Sequence, residues 1–119
     1  MSMLRSLGRI LLSVIFISGG AQAFLEPGGR VNKVAGAGLP QPKQSVEFNG
    51  LVMVIGGALL ALGWFPKLAA TLLIASIVPT TVVGHAFWNE ESEASRKAQQ
   101  IQFFKNLGLL GGLLLVLAE

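Results

Sequence analysis

Residues 46–88, VEFNGLVMVIGGALLALGWFPKLAATLLIASIVPTTVVGHAFW, decide the fold: two apolar blocks of about twenty residues meet at Gly63-Trp64-Phe65-Pro66-Lys67. About 20 helical residues cross a hydrocarbon core about 30 Å thick, so each block is long enough to span a bilayer. The joint supplies two aromatics suited to the membrane interface, a proline suited to a first helical turn and one charge within five residues. Lipid offers no partner to backbone N–H and C=O groups, so spans joined this closely are predicted to lie side by side and antiparallel as a tight hairpin.

Working outward, two further blocks have similar length. The four predicted spans are residues 7–25, 46–65, 67–88 and 101–118, and the predicted fold is all-α: an integral membrane four-helix bundle forming a single transmembrane domain over 1–119. Composition agrees. Of 119 residues, 52% are hydrophobic and 13% charged, whereas a soluble domain carries about a quarter charged residues and must cover its surface with them. Mean hydropathy is +0.65. The first block, with Arg5 and Arg9 before Ile10 and Ala21-Gln22-Ala23 after it, also has the outline of a secretory leader. Retained in the chain, an apolar block of this length is a spanning or anchoring helix.

The connections differ in character. Residues 26–45 hold three prolines and the run Ala35-Gly36-Ala37-Gly38, which predicts an irregular interfacial loop with one short helical turn near Val31 to Ala35. Residues 89–100 are polar, and Glu93 and Lys97 stand at i, i+4, so this loop is expected to run on into the fourth helix. An even number of spans puts Arg5, Arg9 and Lys67 on one side of the membrane and Arg30, Lys33, Lys43, Arg96, Lys97 and Lys105 on the other. The positive-inside count places the termini outside by six to three, while weighting by the first helix places them inside.

Several chemistries are excluded by residue type. Without cysteine there is no disulfide, thiolate metal site or cysteine nucleophile. The single histidine rules out bis-histidine haem ligation. The nine basic residues, net charge +3, are dispersed and form no aromatic-interleaved stripe, so nucleic acid is not an expected partner. No G-x-S-x-G elbow, P-loop or paired intramembrane carboxylates occur.

Helices in lipid associate through small residues and a few polar contacts. Glycines occur in every block, and Gly108 and Gly112 stand at i, i+4 on the fourth helix. Pro79 removes one helical hydrogen bond, and Thr80 and Thr81 are placed to bond nearby carbonyls. Candidate site residues are the polar groups within the blocks, where burial is costly. His85 is expected to share a helix face with Thr81 and Trp88, either as a proton-transfer or quinone-bonding group or as an interfacial histidine bonded to backbone or lipid. Lys105 suits a snorkelling lysine, and Asn106, if it faces the bundle, completes with His85 a head-group pocket with aromatic walls. The candidate contacts for a quinone or lipid head group are therefore His85, Trp88, Lys105 and Asn106. Ser13, Ser18 and Gln22 are candidates for interhelical contacts, and Ser18 and Gln22 also for the pocket.

In order, Arg9-Ile10 leading to Ser18-Gly19-Gly20, residues 56–63 (GGALLALG), His85-Ala86-Phe87-Trp88, and Phe104-Lys105-Asn106-Leu107 running to Gly111-Gly112 resemble the DoxX family of small four-helix bacterial membrane proteins. The resemblance implies a multi-pass protein of the bacterial inner membrane associated with redox partners, since members are linked with thiosulfate:quinone oxidoreductase and with oxidative-stress complexes. Many members also carry a basic residue shortly after the helix-one Ser-Gly and an acidic residue early in helix two. Here Gln22 stands near the first position and Met53 near the second, with Glu47 farther out. That departure moves the expectation from intramembrane quinone chemistry toward an accessory subunit of a larger respiratory or redox complex, with no intrinsic cofactor and with a quinone or bound lipid as its ligand. The alternative is a quinone-interacting subunit of an oxidoreductase.

Overall fold

A computed structural model describes residues 2–119. It contains five α-helices: α1 Met3–Leu25, α2 Gly28–Gly36, α3 Pro42–Leu62, α4 Pro66–Gly84 and α5 Glu93–Ala118. A single 3-10 turn, Phe87–Asn89, lies between α4 and α5. Four stretches are long and apolar enough to cross a membrane. α1, α3, α4 and α5 supply them, and the short α2 does not.

The hairpin forms as the sequence predicts. Trp64 donates its backbone N–H to Leu59 O at 2.9 Å and Gly63 to Leu60 O at 3.1 Å, the paired bonds that end a helix when the residue after it turns left-handed. Gly63 has φ +72°, a conformation that costs glycine little. Pro66 then opens α4, where its missing N–H would have had no partner. The two helices leave this corner antiparallel and packed on each other.

α3 is the centre of the bundle, because two different helices lie against it. On one side it crosses α1 at glycines. A Cβ added to Gly20 would lie 2.6 Å from Gly50 O, and one added to Gly57 would lie 2.8 Å from Ile17 Cγ1, so backbone meets backbone along this seam. On the other side Gly56 receives Leu73 of α4. The buried core joins Phe16 of α1, Leu60 of α3, Ala69, Ala70, Leu73 and Ile77 of α4, and Leu113 and Val116 of α5. The fourth helix uses its glycines less than its spacing suggests. Gly112 meets Leu12 of α1, but Gly108 and Gly111 face open space.

Several boundaries shift from their expected positions. The helical turn expected near Val31 is a nine-residue helix, α2. The fourth span begins at Glu93 because Ser92 caps it, its Oγ accepting from the Ser95 N–H at 3.0 Å. In the third span, Pro66–Asn89, the α-helix itself ends at Gly84 and the last residues turn through the 3-10 segment. Past Pro79, as expected, the threonine hydroxyls bond back to their own helix: Thr80 Oγ1 donates to Ser76 O at 2.7 Å and Thr81 Oγ1 to Ile77 O at 2.6 Å.

The two ends of the bundle are built differently. Where α1 begins and α5 finishes, Arg9 is 95% buried and donates to Glu119 Oε2 at 3.2 Å, and Arg5 approaches the same carboxylate at 3.8 Å. Leu12 lies against Gly112 just inside this end. At the other end α2 crosses the bundle, tied by Lys33 Nζ donating to Gly84 O at 2.6 Å.

Candidate functional site

Beneath α2 lies a cavity of about 580 Å³ to which all five helices contribute. That volume is in the range of sites for small organic ligands. Toward the bundle centre its wall is mostly apolar, with Ile15 and Phe16 from α1, Ile77 from α4 and Leu109 from α5, interrupted by Asn49, Ser76 and Thr80. Toward the α2 end it is polar, with Arg30 and Lys33 of α2, His85 following α4, and Lys105 and Asn106 of α5.

Three of the four expected contacts, His85, Lys105 and Asn106, thus line one cavity. His85 is held by its Nδ1, 2.7 Å from Gln99 Oε1 on α5. Asn106 is buried, and its amide donates to Thr81 Oγ1 at 2.9 Å, so it serves as an α4–α5 contact as well as cavity wall. Lys105 Nζ donates to Gln102 Oε1 one turn back while its exposed side chain borders the opening. Trp88 stands apart. Because α4 stops at Gly84, Trp88 leaves the face that holds Thr81, and it packs edge-to-face on Phe87 at 5.2 Å and on Phe103 at 5.8 Å. It is 52% exposed and borders no part of the cavity.

The other polar candidates also separate. Ser13 Oγ donates to the Ile10 carbonyl of its own helix, Ser18 is exposed, and Gln22 Oε1 accepts from Arg30 at 3.3 Å. Neither Ser18 nor Gln22 lines the cavity.

A polar cluster in the wall escaped the sequence reading. Asn49 of α3 donates through Nδ2 to Thr80 Oγ1 at 3.0 Å, and its Oδ1 accepts from Ser76 Oγ at 2.8 Å. The cluster staples α3 to α4 within the membrane, where water cannot satisfy such groups. Ser76 and Thr80 at i, i+4 in a mostly apolar span were the available signal. Arg30 and Lys33 read as dispersed flank charges until α2 brought them over the opening.

These features define a class: a small four-span membrane bundle with an amphipathic cavity at one end, strapped by a short interfacial helix. A DoxX family model matches residues 4–86, and this chain belongs to the DoxX family. It is also 30% identical over 110 residues, 92% of this chain and 78% of the relative, to the inner membrane protein YphA of Escherichia coli (strain K12). No solved structure matches the chain significantly.

Proposed function

We propose that this protein is an accessory subunit in the bacterial inner membrane that seats against larger subunits of a redox or respiratory complex and holds the polar-headed end of a bilayer-dissolved amphiphile. The observation that carries this reading is the cavity itself, which toward the bundle centre is lined by apolar side chains and by polar groups already bonded to one another, and which offers polar side chains where His85, Lys105 and Asn106 meet. Such a division of surface binds the two halves of an amphiphile by burial at one end and hydrogen bonding at the other. The outward face of α5, with Ile101, Phe104, Leu107 and Leu115 exposed and Gly108 and Gly111 open, offers an apolar strip to a neighbouring span. Inner-membrane placement is supported by the four spans and by the relative from Escherichia coli.

The test is purification in mild detergent followed by mass spectrometry of copurifying subunits, lipids and quinones. A bound amphiphile that disappears in Leu109→Trp, which fills the cavity, is the expected result. Full retention in that variant refutes the reading.

One observation favours a second reading, in which the amphiphile is a quinone and a separate subunit supplies the electrons. His85 borders the cavity with Nδ1 donating to Gln99 Oε1, so its Nε2, which makes no hydrogen bond among the described residues, is the acceptor of the neutral ring and suits the hydroxyl of the quinol that reduction forms. Unchanged quinone reduction by the assembled complex carrying His85→Ala with Lys105→Ala would exclude it.

A further inference from the structure

The cavity is one-sided in charge. Arg30, Lys33 and Lys105 border it together with His85, and no aspartate or glutamate does among the described residues. All three cations lie within electrostatic range of the His85 ring. Arg30 and Lys33 are three residues apart on α2 and therefore stand on one face of that helix. Among the described residues each of the three makes one hydrogen bond, in every case to a neutral oxygen: Arg30 to Gln22, Lys33 to Gly84 and Lys105 to Gln102. Guanidinium and ammonium groups carry more N–H donors than that. The carboxylates that do pair with cations are elsewhere, Glu93 with Lys97 and Glu119 with Arg5 and Arg9.

Three like charges around an opening in apolar surroundings repel one another, and an oxyanion among them turns that repulsion into charge-assisted hydrogen bonds. The deeper polar groups do not compete for a head group, because Asn49, Ser76 and Thr80 are bonded to one another. The cations also lie at the right depth. They cluster where α1 and α4 end, the level of the lipid head groups, and the apolar wall extends from there toward the bundle centre.

We propose that the cavity selects an anionic amphiphile, its phosphate or carboxylate held by Arg30, Lys33 and Lys105 and its acyl chain lying against Ile15, Phe16, Ile77 and Leu109. The assignment rests on the reading that the cavity holds an amphiphile, and it adds the charge of the head group. A neutral quinone presents only carbonyl acceptors and would leave the three charges unbalanced. A zwitterionic lipid would bring an ammonium group toward them.

The test uses the full chain, delipidated and reconstituted in neutral detergent, with native mass spectrometry and thermal unfolding as the two readouts. The probes are phosphatidylglycerol, oleate, phosphatidylcholine and a short-chain ubiquinone, each titrated over the same concentration range. Phosphatidylglycerol or oleate should be retained and should raise the melting temperature at least tenfold lower in concentration than phosphatidylcholine or the quinone. Which of the two anions does so identifies the source as phospholipid or free fatty acid. Arg30→Gln with Lys33→Gln should weaken anion binding at least tenfold, and Arg30→Lys with Lys33→Arg, which keeps both charges, should restore most of it. Leu109→Trp should abolish binding of every probe. Equal binding of anionic and neutral probes, or anion binding indifferent to the Arg30 and Lys33 changes, overturns the charge assignment while leaving the cavity reading in place. Binding of all probes indifferent to Leu109→Trp overturns the cavity reading itself.

Discussion

The two ends of this bundle solve opposite problems with the same residue types. At the end where α1 starts, a buried arginine meets a carboxylate, a second arginine joins it, and α1 reaches α5 through Leu12 on Gly112. At the end where α2 crosses, three cations have, among the described residues, neutral oxygens alone as partners, and the helices part around a cavity. A basic residue is therefore structural or available for a ligand according to whether an acid stands beside it, and in this molecule that distinction follows the long axis.

The comparison can be broken most severely at the α1–α3 seam, which holds the helices together between the two ends. Gly20→Leu or Gly50→Leu drives a side chain into opposing backbone and should cost about 3 kcal/mol, the upper end of overpacking. Gly111→Leu, facing open space, should change stability by less than about 0.5 kcal/mol. Thermal unfolding in detergent measures both. Next in size, Arg9→Met at the closed end should lower stability by about 2 kcal/mol by removing charge-assisted hydrogen bonds from a buried site. The matched change at the open end, Arg30→Met, should cost under about 0.5 kcal/mol because that side chain is exposed. Equal losses at the two arginines would erase the contrast.

Smaller still, Asn49→Leu breaks the α3–α4 staple and should cost about 1 kcal/mol, since interhelical hydrogen bonds in membranes average below that and reach somewhat above it. Least of all, Glu93→Gln removes an exposed i, i+4 pair with Lys97 at the start of α5 and should cost about 0.3 kcal/mol, with the effect fading as salt is added.

Much of the architecture was legible in the sequence because one strong force sets it. Apolar blocks long enough to cross lipid announce themselves without context, and Gly63-Trp64-Phe65-Pro66-Lys67 joins two of them with too few residues for any other path. The glycines were legible as packing residues but not individually. Gly20 and Gly50 touch while Gly108 and Gly111 do not, and spacing along one helix carries no information about which face a neighbour will occupy. His85, Lys105 and Asn106, which line the cavity, stand out in the sequence because polar groups in apolar blocks are conspicuous. Trp88 was misplaced for a local reason, since the helix that would have aligned it with His85 ends one residue before that histidine. The position of Arg30 and Lys33 beside the cavity was not legible, because it depends on α2 folding back over the opening, a tertiary event between two glycine- and proline-rich joints.

The unequal lengths of the helices bear on which membrane suits the molecule. α4 has 19 residues, about 28 Å, and is flanked by outward-facing Trp64 and Phe65 at one end and Trp88 beyond the other. A helix of that length matches a hydrocarbon core slightly thinner than average. α5, at 26 residues, is about 39 Å long and exceeds the same slab, so its excess length is taken up by tilt or by turns outside the hydrocarbon. Thickening the host bilayer would stretch the mismatch at α4 first, and reconstitution in lipids of graded chain length should show greatest thermal resistance in the shorter ones.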